Sequence, residues 1–172
     1  MLDNQTIDKI KENLFSVESN IYAVIDGAAC PELRFKIYDW EPQSVCLWSG
    51  ALEPDIQEVA PYMVLLDRES TFTDWLISQG WNNNWNIFIQ SALDFKAFKK
   101  QIRKLLRVKS PEGRNMIFRF YDPRVLDVFL TSLESNQREA FFQGINNIYY
   151  QKSATDFCAI NKENNALNFK II

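Results

Sequence analysis

The stretch Ile117-Phe118-Arg119-Phe120-Tyr121-Asp122-Pro123-Arg124-Val125-Leu126 changes backbone habit within a short span. Its first half alternates aromatic bulk with polar groups, the period-two pattern of a strand packed on one face. Asp122 then stands before Pro123. Proline suits the first position of a helix, where its missing N–H would be orphaned anyway. The preceding aspartate can accept from the free N–H groups of that helix end. The reading is strand, cap, helix. Arg119 and Arg124 flank the carboxylate closely enough for one of them to pair with it. Such a corner is either a structural ion pair or an exposed arginine-rich recognition point, and the sequence leaves both open.

Working outward, residues 21–25 form a continuous apolar run, the pattern of a strand buried on both faces, ending in the turn signal Asp26-Gly27. Pro61 opens a second such run over residues 61–66, a position a strand tolerates. Residues 45–48, 86–90 and 145–150 read as further strands. Helical spacing predicts helices over residues 6–15, 31–38 and 73–79, the last capped by Thr71 or Thr73 and stopped by Gly80. Residues 53–59 read as a helical turn or a polar loop. Ser91 with Asp94 three residues on is a short capping box, opening a helix that runs to about Arg107. A turn over residues 109–114 predicts a hairpin between Val108 and residues 116–121. Helices follow at 123–133 and 136–143. Residues 153–172 are rich in Asn and Lys, with isolated apolar residues, and show no packing pattern. Strands alternating with helices predict an α/β fold, with α+β as the alternative: one domain over residues 1–152, a tail beyond it, and a mixed β-sheet flanked by helices.

The chain of 172 residues is long enough for a substantial core, and its net charge of −3 argues against a nucleic-acid binder. Three widely spaced cysteines, Cys30, Cys46 and Cys158, fit no metal or redox pattern and suit buried thiols in a reducing cytoplasm. There is neither a signal-peptide core nor an apolar run long enough to span a bilayer, so neither export nor a membrane is expected. With no histidine in the chain, His-dependent nucleophilic triads and His-containing metal sites are excluded. Five glycines, none in phosphate-loop spacing, leave no nucleotide cradle. A small metal-dependent enzyme would have to use Asp26, Asp67 and Glu69, acids that follow apolar strands. They read equally as ordinary turn and loop residues. Residues 91–109 carry seven cations against Asp94, a local +6 in a chain whose remainder is −9. Lys100, Arg103 and Lys104 belong to this helix, which is either a solvated face or a docking face for an acidic partner.

Several of these segments, in this order, resemble a known family: Tyr22-Ala23-Val24-Ile25-Asp26-Gly27-Ala28, Pro61-Tyr62-Met63-Val64-Leu65-Leu66, Trp75-Leu76, the Arg119–Arg124 block, then Gln137 and Phe141-Phe142. The chain is similar, over about residues 20–148, to the type VI secretion adaptor or effector-chaperone family of the Tap/TEC type. The resemblance implies a cytoplasmic, non-enzymatic bacterial adaptor that binds a type VI effector protein and loads it onto the VgrG spike protein. It implies no cofactor, no metal, no nucleic acid and no catalytic residues. Partner-binding candidates are Arg119, Asp122 and Arg124 at the corner and Lys100, Arg103 and Lys104 on the basic helix.

Overall fold

A computed structural model of the protein describes residues 2–109 and 112–172. In chain order the elements are α1 (Asn4–Leu14), β1 (Asn20–Asp26), α2 (Leu33–Trp40), β2 (Ser44–Cys46), α3 (Pro54–Val59) and β3 (Pro61–Leu66). Then come α4 (Thr71–Gly80), β4 (Asn86–Ser91), α5 (Phe95–Leu105), β5 (Arg107–Lys109) and β6 (Asn115–Ile117). The chain closes with α6 (Pro123–Ser132), α7 (Ser135–Phe141), β7 (Asn147–Gln151), β8 (Phe157–Glu163) and β9 (Ala166–Ile171). Seven strands form one sheet in the order β2-β3-β1-β4-β7-β8-β9, while β5 and β6 form a separate hairpin. Part of the hairpin's predicted turn, Ser110-Pro111, lies outside the described residues.

The run in β1 is apolar throughout because both faces of this central strand are covered. Tyr22 and Val24 pack with α5, α6 and α7 on one side. Ile21, Ala23 and Ile25 pack with α1, α2 and α4 on the other. The result is a single domain of helices flanking a sheet, with all of the described ladders antiparallel. β1 lies between β3 and β4, with Ile21 opposite Leu66 and Gln90, and Asp26 opposite Pro61. Strand–helix alternation suggests parallel neighbours in part of the sheet. Here α2 and α4 do carry the chain across, so β2 runs in the direction of β1 and β4 in that of β3, but each lands beyond an intervening strand, and every hydrogen-bonded neighbour is antiparallel.

Three local expectations are corrected. The strand before the corner stops at Ile117, and Phe120 and Tyr121 lie in a turn. Both of these adjacent rings are buried in the same core, which an alternating strand could not achieve. The cap of α4 is Ser70, whose Oγ accepts from the Thr73 N–H at 3.1 Å, rather than Thr71 or Thr73. The Thr73 hydroxyl instead donates to the Asp67 carbonyl. Ser91 ends β4, and Asp94 itself caps α5, accepting from the Ala97 N–H at 2.8 Å. Ser91 is spent on the Gly144 carbonyl and the Leu93 N–H.

Residues 153–172 join the sheet. β8 and β9 form a hairpin with Glu163 opposite Ala166, closed by Asn164 and Asn165 at φ +47° and +63°. Asparagine tolerates this left-handed pair, which matches the twist of the strands.

Candidate partner-binding site

The corner is built by the helix start. Pro123 occupies the first turn of α6, and Asp122 Oδ1 accepts from the Arg124 N–H at 3.0 Å. Arg124 grips the same carboxylate as a fork, Nε to Oδ1 at 2.9 Å and Nη2 to Oδ2 at 2.6 Å. Two-point pairing of this kind fixes geometry as well as charge. These bonds from Arg124 hold the Asp122 carboxyl below the usual aspartate range, against the opposing effect of burial. Arg124 remains 63% exposed on its outer side.

Arg119 turns away from Asp122 and reaches Asp26 at the end of β1. Asp26 is the buried partner, its side chain 3% exposed against 47% for Arg119. Its other oxygen accepts from the Ala28 N–H at 3.1 Å. The turn signal at Asp26-Gly27 and the arginine of the corner are therefore two halves of one contact. Tyr121 lies beneath it, its hydroxyl pushed up to about 12 by burial. Asp122→Ala should cost about 1–2 kcal/mol at neutral pH, the loss of a charged cap. The folded-state pKa is depressed, so the carboxylate stabilises above its unfolded value, and that gain disappears as pH falls through the folded value. Denaturation curves of parent and variant should converge in acid; a difference that persists there would show that packing, not the ionised cap, is lost.

The acids of the enzyme reading are not brought together. β1 and β3 run antiparallel, so Asp26 ends β1 at one end of the sheet while Asp67 and Glu69 follow β3 at the other. Asp67 accepts from the Glu69 N–H at 2.8 Å, and Glu69 sits 3.5 Å from Arg68. Among the described residues, no three metal-ligating side chains of His, Cys, Asp or Glu are grouped. The cysteines are free thiols, Cys30 and Cys158 buried and Cys46 half-buried. Burial pushes the Cys30 thiol up to about 12, which makes it inert.

On α5 the cations divide into two sets. Arg103, half-buried, donates from Nη2 to the Cys46 carbonyl at 2.9 Å and from Nε to that of Leu47 at 3.1 Å. It staples the helix to the end of β2 and is not a free docking group, a commitment that a count of charges cannot reveal. Lys96, Lys100 and Lys104, four residues apart, form an exposed stripe. None of them is in an ion pair among the described residues. The opposite face of α5 places Phe98 and Ile102 in the core, and Phe98 stacks on Tyr22 at 4.2 Å between ring centroids. Sequence reasoning missed a second surface on α2, where Phe35 and Tyr38 are exposed while Leu33 is buried. The only signal was their offset from the Leu33–Ile37 face.

No helix of the described residues is long and apolar enough to cross a membrane. Neither a curated protein nor a solved structure matches the chain. The family described as a domain of unknown function (DUF4123) matches residues 21–140, which takes in β1 through α6, the corner and the whole basic helix. With well over half of its length matched, the chain belongs to the DUF4123 family.

Proposed function

We propose that the protein is a non-enzymatic adaptor that holds a protein partner through a preformed charged surface. The observation that carries this reading is the stripe Lys96, Lys100 and Lys104, exposed and in no ion pair among the described residues, in a chain of net charge −3. Ionic attraction along such a face raises encounter rates and selects partners of opposite sign. Together with the resemblance to effector chaperones, it supports a cytoplasmic role in which the protein binds a type VI effector and delivers it to the VgrG spike. The dispersed positions of Asp26, Asp67 and Glu69 give the metal-dependent enzyme reading no support.

Pull-down from the native host should recover an effector or VgrG in near-stoichiometric amount. In kinetic assays with the captured partner, Lys100→Glu with Lys104→Glu should slow association by about tenfold at low salt and flatten its salt dependence. The circular dichroism spectrum should not change, since both side chains are exposed. An unchanged association rate would return the stripe to the solvated surface. Recovery of neither partner would end the adaptor reading.

A further inference from the structure

Helix α2 carries two aromatic rings, and α3 two aliphatic side chains, that the fold leaves uncovered. Phe35 and Tyr38, three residues apart on one side of α2, are 63% and 83% exposed. The Arg34–Glu58 ion pair ties α2 to α3, whose Ile56 and Val59 are also exposed. Isolated exposed apolar residues are ordinary, but adjacent aromatic rings on a helix tied to a second apolar pair mark an interaction surface. Large rigid rings also bring much contact area at little entropic cost.

The charge around these rings specifies the occupant. Residues 27–66 contain only two cations, Arg34 and Lys36. Both are already paired, with Glu58 and Glu32. Asp39, Glu41, Glu53 and Asp55 are exposed and form no ion pair among the described residues. Lys36, paired with Glu32, also lies 5.7 Å from the Phe35 ring, and the unpaired carboxylates that α2, α3 and their flanks carry beyond it repel nucleic acid and anionic lipid alike. We infer that the α2–α3 face docks a basic amphipathic segment of a protein partner, its apolar side chains on Phe35 and Tyr38 and its cations on the surrounding carboxylates. This rests on the adaptor reading and gives the partner a chemistry. The protein would then hold a partner's acidic surface on the lysines of α5 and a partner's basic, apolar segment on α2–α3.

The test uses fluorescence anisotropy with a synthetic amphipathic helix of lysine and leucine. A lysine–serine peptide of equal charge and a glutamate–leucine peptide serve as controls. The lysine–leucine peptide should bind, with affinity falling as salt rises, and both controls should bind far more weakly. Phe35→Ser with Tyr38→Ser should weaken binding about tenfold or more while leaving the melting temperature in place, because neither ring is part of the core. Asp39→Lys with Asp55→Lys should weaken it and flatten the salt dependence. Equal binding of the lysine–serine peptide, or unchanged binding by the aromatic variant, would overturn the inference. So would concentration-dependent self-association in sedimentation that the aromatic variant abolishes, since the face would then belong to a second copy. If the aromatic variant still captures effector and spike as the parent does, this face fails while the adaptor reading stands. If the parent captures neither yet binds the peptide, the converse holds.

Discussion

Arg119→Ala should destabilise the fold by about 3 kcal/mol, the low end of the range for breaking a buried ion pair. The loss falls mainly on the partner left behind. Asp26 is almost wholly buried and among the described residues would keep the Ala28 N–H as its side-chain donor, so its charge would lie unpaired in a poorly solvated site. Arg119 is half-exposed, which lets water take up part of the deficit and keeps the estimate from the top of the range. Asp26→Asn should therefore cost less than Arg119→Ala, because the arginine can turn to solvent whereas the carboxylate cannot. For a chain of this size the arginine variant should melt about 6–12 °C lower. The double variant should be more stable than the two single losses added together, the mark of a direct interaction. Simple additivity in denaturant titrations would show that the pair contributes nothing as a pair.

Gly27→Ala should be as damaging or worse, at about 3 kcal/mol or more. A methyl group there would meet the Ala60 carbonyl oxygen, with the Glu58 oxygen at 2.7 Å and the Val59 carbonyl carbon at 3.0 Å. All three are backbone atoms, so no side-chain rotation can make room. Overpacking against movable side chains costs about 1–3 kcal/mol; here the end of α3 or of β1 must shift. The Gly27 N–H also donates to the Ala60 carbonyl at 3.2 Å, and that bond would be strained by the same displacement. Gly50→Ala is the matched control. Its φ of +107° imposes backbone strain, but no atom of the described residues crowds the added carbon within 4 Å. Gly27 is not among the glycines at positive φ, so a loss at position 27 no larger than that of Gly50→Ala would show that the neighbouring backbone gives way and that close approach does not make glycine necessary there.

Both results concern the junction of Asp26-Gly27 with the corner, which the sequence shows only in pieces. The cap at Asp122 and the helix from Pro123 are legible because they depend on neighbours in the chain. Arg119 finds its partner 93 residues away, and no local pattern favours Asp26 over the nearer Asp122. The buried strands β1 and β3 announce themselves by unbroken apolar runs, yet these runs say nothing about strand direction. β9 escapes notice because most of it is exposed, leaving no alternation for burial to impress on the sequence. Its turn, Asn164-Asn165, was the available signal. On α5 the lysine stripe is readable as charge, whereas the staple made by Arg103 depends on carbonyls brought to it by β2. At α2 the aromatic residues resemble core residues in composition, and only the folded surface distinguishes them.

The two ends of the seven-stranded sheet are unlike, and this makes the molecule directional. At one end β2 is three residues long, and Arg103 occupies the carbonyls where the chain leaves it. At the other, β9 pairs among the described residues with β8 alone, so alternate N–H and C=O groups face outward beside the exposed Phe169 and Ile171. Arg103 takes up part of the hydrogen-bonding capacity at the β2 border, whereas the β9 border offers a six-residue strand for extension. Lys170 stands between the two apolar residues of that border, and Lys152 lies over the Phe169 ring. Any added strand would have to strip water from an ammonium group to take hold. The sheet thus ends in a guarded seam, which opposes runaway stacking of identical chains while leaving the helical faces free.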